Sequence, residues 1–259
     1  MDFTLKTYKT LIESLVEKNY QFLTVEEYFK LFFSKSPNLS LTIMRHDVDR
    51  KPLNALRMAK IEHKLGIKAT YFFRTIDKTF KPEIIKEIVE LGHEIAYHYE
   101  CLSETNGDFE KALKDFEKNL ARLRELFPVN NIAMHGSPLS KWDSRDLWKK
   151  YNYKDYNITS EPYFDIDFDK VLYITDAGRS WENKKINKRD KVTSKFNYHF
   201  KHTNDIITAL EQNKLSDKIM INIHPEHWSY SEMEWWKIWI IRKIRNFGKR
   251  IFLGLRSKV

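Results

Sequence analysis

Short apolar runs alternate along this chain with longer stretches in which apolar residues recur every three or four positions, the pattern of repeated strand–helix units. Residues 41–45 read as a buried strand between polar flanks. Pro52 opens a helical stretch carrying Ala55, Met58, Ala59 and Ile61, and Gly66 closes it. Proline just inside the start and glycine just past the end is the asymmetry that helices favour. The aromatic content of residues 69–73 predicts the next strand; residues 82–91 predict a helix with Gly92 past its end, and residues 94–97 a third strand. The clearest helix is 108–127, where Phe109, Leu113, Phe116, Leu120 and Leu123 fall at spacings of three and four. Strands at 131–134, 171–174 and 218–223 and a helix at 205–210 continue the series. Thr24, with Glu27 three residues on, predicts a capping box. Residues 137–169 are aromatic and irregular and yield no element.

Composition narrows the class. A chain of 259 residues with 42% hydrophobic content supports one large α/β domain, and 31% charged residues with only 7 glycines exclude fibrous and disordered classes. The lone Cys101 excludes an internal disulfide framework and fits a reducing compartment. Residues 1–6 lack a basic segment followed by an apolar run, and no stretch of 18 apolar residues occurs. The expectation is a cytoplasmic protein, peripheral at most on the inner face of a membrane.

The net charge of +9 is a property of the tail. Beyond Glu234 lie eight basic residues and no acidic one: Lys237, Arg242, Lys243, Arg245, Lys249, Arg250, Arg256 and Lys258. Setting them aside leaves 37 of the 45 basic side chains against 36 acidic ones. A near-neutral body with no recognised binding module argues against nucleic acid as the partner.

Residues able to do chemistry gather at the predicted strand ends. Asp47 and Asp49 follow the first of these strands, His98 ends the third, His135 the fourth, Asp176 follows the strand at 171–174, and His224 ends the last. In a parallel β/α barrel the carboxyl ends of the strands open onto one face, where active sites sit. Carboxylates at Asp47 and Asp49, separated by Val48, allow one to bind a metal while the other takes a proton. The plainer alternative is a capping pair for the helix at Pro52. His93 is expected as a hydrogen-bonded core residue and His227 as a surface residue. His46, His63, His199 and His202 receive no role.

In order and spacing, residues 40–225 resemble the polysaccharide deacetylase family, the NodB-homology or family 4 carbohydrate esterases. The run Arg45-His46-Asp47-Val48-Asp49 is similar to the first family motif, with one aspartate as base and one on the metal. Ala69-Thr70-Tyr71-Phe72-Phe73 is similar to the strand that follows it. Gly92-His93-Glu94-Ile95-Ala96-Tyr97-His98 matches the run that leads to a metal histidine. The segment 173–181 distantly resembles the fourth motif, with Asp176 at its aspartate, and 221–225 the last, which carries a catalytic histidine.

The resemblance implies an irregular (β/α)7-type barrel over residues 1–232, followed by a basic, tryptophan-rich amphipathic helix at 233–259. It implies a metal-dependent hydrolase removing an N-acyl group, expected to be acetyl, from a sugar of a glycan or lipid-linked glycan precursor. Asp49, His98 and a third ligand would hold a divalent ion, with zinc expected. Asp47 would act as base and His224, oriented by Asp176, as acid. Arg179, Trp181 and Ser137 would contact substrate. The family's second metal histidine, four residues after the first, is Leu102 here, so His135 and Glu100 are the candidates for third ligand. His135 also falls near the place of the family arginine that orients the catalytic aspartate. Two rival readings remain: an amidohydrolase of the same fold acting on a non-sugar amide, and a non-catalytic relative that binds glycan or membrane.

Two basic segments carry partner expectations. Lys184, Lys185, Lys188 and Arg189 read as a solvated loop or as contacts to an anionic substrate. In the tail, Trp236, Ile240, Ile244, Phe247 and Ile251 form one helical stripe, with Arg242, Arg245 and Lys249 opposite. Such a stripe either packs on the fold or a partner subunit, or lies in an anionic membrane interface.

Overall fold

A computed structural model describes residues 1–32, 39–137, 139–182, 189–241 and 243–244. Seven parallel strands form one sheet: β1 (Gln21–Leu23), β2 (Leu41–Val48), β3 (Thr70–Phe73), β4 (Glu94–Tyr99), β5 (Ile132–Met134), β6 (Leu172–Thr175) and β7 (Lys218–Ile223). Their order is β5-β4-β3-β2-β7-β6. One edge of β2 is shared in succession, by β1 at residues 41–43 and by β3 at residues 45–48. Helices α1 (Leu5–Glu17), α2 (Val25–Phe32), α3 (Pro52–Lys64), α4 (Pro82–Glu90), α5 (Cys101–Glu104), α6 (Phe109–Arg124), α7 (Pro162–Asp165) and α8 (Thr203–Glu211) accompany the strands.

The α/β class and parallel sheet are as expected of an irregular (β/α)7-type barrel, but among the described residues β5 and β6 do not pair, so the sheet is an open half-barrel. The physical reason lies between them. The chain there forms 3₁₀ turns at Ser144–Lys149 and Tyr153–Tyr156 and the short α7, not a further strand. Its aromatic residues face inward: the Trp148 ring meets Phe116 edge-on at 4.8 Å and Tyr99 at 5.7 Å.

Most elements follow from local signals. Gly66 adopts φ +70 just past α3, a conformation that costs glycine little. Asp108 caps α6 by accepting from the Lys111 backbone N–H at 3.1 Å. The Thr24–Glu27 capping box forms reciprocally, at 2.9 and 3.1 Å. β2 runs to Val48, beyond the predicted end at residue 45, because tertiary partners bury its polar residues Arg45, His46 and Asp47. α1, which was not predicted, does carry local signals: Thr4 caps it by accepting from the Thr7 backbone N–H at 3.1 Å, and Tyr8, Leu11, Ile12 and Leu15 are buried at helical spacing.

The core also holds a polar knot. Buried Glu62 accepts from Tyr71 Oη at 2.7 Å and from Tyr8 Oη, and pairs with His46 Nε2 at 2.6 Å. Burial pushes the Glu62 carboxyl up, but the His46 charge and bond outweigh it and hold the pKa below the usual range. His93 is a core residue as expected: its Nε2 donates to the Ala59 carbonyl at 3.1 Å and its Nδ1 accepts from the Ala69 N–H at 3.2 Å.

A last helix occupies 232–241 and continues at 243–244. It is fastened by Trp235 Nε1 donating to the Asp2 carbonyl at 2.6 Å, by a Lys51–Glu234 ion pair at 2.8 Å, and by buried Ile238. Arg242, the tail 245–259, and Lys184, Lys185 and Lys188 lie outside the described residues. No described helix is long and apolar enough to cross a membrane.

Candidate active site

The parallel register gathers the strand ends. Arg45 lies opposite Asn222 across the β2–β7 ladder, and side chains two apart on a strand share a face, so Arg45, Asp47, Asn222 and His224 point the same way. The Arg45 guanidinium grips Asp47 twice, Nε to Oδ1 at 2.7 Å and Nη2 to Oδ2 at 2.8 Å. Asn222 Nδ2 donates to the same Oδ2 at 2.9 Å. Burial pushes the Asp47 carboxyl up, but the charges of Arg45, His98 and His224 pull it below its ordinary value, so it is ionised at neutral pH.

Asp49 stands between two imidazoles. His98 Nε2 is 3.3 Å from Oδ1, and His135 Nε2 is 3.4 Å from Oδ2. The second nitrogen of each ring is already committed, His98 Nδ1 to the Ala133 carbonyl at 2.8 Å and His135 Nδ1 to Glu100 Oε2 at 2.7 Å. Those partners only accept, so each Nδ1 carries a proton, and in the neutral rings each Nε2 lone pair faces a carboxylate oxygen. Acceptors facing acceptors repel unless a cation or a proton lies between them. Asp49 Oδ1 is buried without a hydrogen-bond donor. Burial lowers His135, but Asp49 and Glu100 outweigh it and push it up to about 9, so a proton can fill its gap to Asp49. A divalent cation would fill the same place, and two imidazole nitrogens with a carboxylate are donors that fit one. Glu100 is taken up by Arg74 at 2.5 Å and by His135, which leaves His135 rather than Glu100 facing Asp49. Leu102, four residues after His98, is buried in the core.

The other side of the site is built on Asp176. Its Oδ1 accepts from His224 Nδ1 at 2.7 Å and from the His224 backbone N–H at 2.9 Å, and its Oδ2 from Trp228 Nε1 at 2.6 Å. His224 is held well above its ordinary value; burial alone would lower it, but the bond to Asp176 and the Asp176, Asp49 and Asp47 charges prevail. His227 is not a surface residue. It is 4% exposed because the 3₁₀ turn Pro225–His227 folds back onto the end of β6, where Nδ1 meets the Asp176 carbonyl at 3.1 Å and the ring stacks on His224 at 5.1 Å. The ligand atoms of Asp176, His224 and His227 lie within 4.8 Å of one another, and by spacing this buried group could hold a metal ion. To do so it would have to displace three N–H donors from the carboxylate. The bonding present suits an oriented histidine; the ligand-like arrangement is around Asp49.

These groups open onto a cavity of about 690 Å³ whose wall includes Asp49, Arg74, His135, His224 and His227. Asp47 and His98 are only 2% exposed and lie behind that wall. The substrate-contact expectations are corrected in part. Trp181 is a core residue, its ring stacked with Phe3 at 6.0 Å and its Nε1 spent on Thr203 Oγ1 at 3.0 Å. Arg179 does not line the cavity; its guanidinium lies over the Trp235 ring at 5.0 Å. Ser137 stays at the edge of the site, its Oγ 3.3 Å from Glu100 Oε2. Arg189 is bound to the Gly136, Ser137 and Ser140 carbonyls at 3.0, 3.0 and 2.6 Å and braces that loop.

Arg45, Asn222, Arg74 and Trp228 were not legible as site residues. One signal did exist: Arg45 and Asn222 are polar positions inside otherwise apolar strands, at period two from Asp47 and His224.

No family model and no curated protein matches the chain. Among solved structures, a Streptococcus pyogenes deacetylase, PplD, in complex with acetate is similar with a TM-score of 0.42 and 16% identity, over 57% of this chain and 70% of that one. A likeness at that level carries no argument about function.

Proposed function

We propose that the chain is a metal-dependent hydrolase that removes an N-acyl group, acetyl first among candidates, from a sugar. The observation that carries this is the pair of histidines turned onto one carboxylate, His98 and His135 on Asp49 at 3.3 and 3.4 Å, beside an ionised Asp47 and an Asp176-bound His224. Asp49, His98 and His135 would hold the cation. A divalent ion there would polarise the acyl carbonyl and make water a better nucleophile.

The chain's own residues do the rest. Asp47, fixed by Arg45 and Asn222, accepts the proton of the attacking water. His224, whose Nδ1 is spent on Asp176, presents Nε2–H to the leaving nitrogen, which cannot depart as an amide anion. The raised pKa keeps that proton on the ring at neutral pH.

The test is acetate release from soluble N-acetylated amino sugars and, in parallel, from cyclic and linear non-sugar amides, with zinc or another divalent ion added back. Turnover of the sugars that disappears in His224→Ala supports the reading. Turnover confined to non-sugar amides moves the protein to that substrate class, and no turnover with any metal removes the hydrolase reading.

A further inference from the structure

The last helix is mounted with its most apolar side outward. Trp236, Trp239, Ile240 and Ile244 fall at i, i+3, i+4 and i+8 and are 53%, 40%, 50% and 67% exposed. A helix of a globular protein turns such a stripe to the core. This one packs on the body through Trp235 and Ile238 instead. Its adjoining side, Met233, Lys237, Ile238 and Ile241, forms a wall of the same cavity that Asp49, His135 and His224 line. One helix therefore carries both the outward apolar stripe and the edge of the candidate site.

From these juxtaposed surfaces we infer that the helix docks on an anionic lipid bilayer and that the cavity draws its substrate, an N-acylated sugar carried on a lipid phosphate, from that bilayer. The substrate half rests on the hydrolase reading above. Charge selects the occupant. The stripe lies in a segment with eight basic residues and no acid beyond Glu234, and the Lys243 ammonium stands over the Trp239 ring at 5.1 Å. Tryptophan rings at headgroup depth with lysines reaching anionic phosphates are the arrangement of an interfacial helix. A second copy would bring Lys237 and Lys243 against the same residues, and their like charge opposes that pairing. Nucleic acid would leave the aliphatic part of the stripe uncovered. Arg50 and Lys237 line the cavity and bring positive charge to where a sugar phosphate would enter, beside Glu226 and the Lys51–Glu234 pair.

The experiment is co-sedimentation of the full chain with phosphatidylcholine vesicles, with and without phosphatidylglycerol, for wild type and for Trp236→Glu/Ile240→Glu. Wild type is expected in the pellet only with the anionic lipid, and less so as salt rises. The variant, whose changes lie outside the cavity wall, is expected to lose at least about tenfold in vesicle partition. It should keep its melting temperature and its turnover of a soluble acyl sugar. On a lipid-phosphate-linked acyl sugar in the same vesicles, wild type should exceed the variant by a similar factor. If the double variant fails to fold, quenching of wild-type tryptophan emission by brominated lipid replaces it, and no quenching overturns the docking. Equal sedimentation of both proteins, no sedimentation of wild type, or a dimer formed through this face without vesicles also overturns it. Vesicle binding without hydrolysis of any acyl sugar removes the hydrolase reading and leaves the docking surface standing. Hydrolysis of soluble sugar without vesicle binding does the reverse.

Discussion

Arg45 and Asp47, two residues apart on one face of β2, are joined by two parallel hydrogen bonds of 2.7 and 2.8 Å with both side chains buried. The fork fixes the plane of the carboxylate as well as its charge, which a lysine ammonium cannot do. Arg45→Lys should therefore lower kcat more than it raises KM, and Arg45→Met should also destabilise the fold by about 3–5 kcal/mol, because a buried carboxylate is left without its partner. Steady-state kinetics and thermal melts check the two effects separately. Arg45→Lys kinetics indistinguishable from wild type would remove the positioning role. Asp47→Asn should cost on the order of 10²-fold or more in kcat with metal content intact.

The metal prediction separates the two histidine groups. Metal content measured by mass spectrometry should fall to background in Asp49→Ala, His98→Ala and His135→Ala, and stay at the wild-type level in His224→Ala and His227→Ala. The opposite pattern would place the ion at Asp176, where the ligand atoms are also close enough.

The pH dependence follows from His224. Its pKa lies above 6.5 in the fold because Asp176 outweighs burial. The acid form needed for protonating the leaving nitrogen thus persists to higher pH than in an ordinary histidine and is lost as pH rises through the folded value. Asp176→Asn removes the charge that raises it. The alkaline limb of kcat/KM should then move to lower pH, and an unmoved limb would mean another group sets it. The same bond stabilises the fold fully below about 6.5, the unfolded value, and less as pH rises through the folded pKa.

Glu62 makes a prediction away from the site. Its carboxylate serves Tyr8, Tyr71 and His46 at once, so Glu62→Ala should cost on the order of 3–5 kcal/mol in stability, read from denaturant unfolding. Because its pKa is lowered in the fold, its contribution is present above about 4.5 and lost as pH falls through the folded value. A loss under about 1 kcal/mol would mean that the knot is only weakly coupled to folding.

The sequence by itself determined the elements whose signals are local. Periodicity placed α6 and its core face, Pro52 and Gly66 bracketed α3, and Thr24 with Glu27 fixed the start of α2. It also put Asp47, Asp49, His98, His135, Asp176 and His224 at or near strand ends, although β2 and β4 run one residue past Asp47 and His98. What it could not determine depends on partners distant in the chain. Asn222 meets Asp47 only through the register of β2 against β7, and register is a property of the assembled sheet. His227 sits next to a proline turn whose direction no local signal gives, so its burial against Asp176 was invisible. The open sheet arose from the aromatic stretch between β5 and β6, which has no period to read. The terminal helix shows the same division: its amphipathic stripe is written in the residues, but which side faces out was decided by where Trp235 and Ile238 found room on the body.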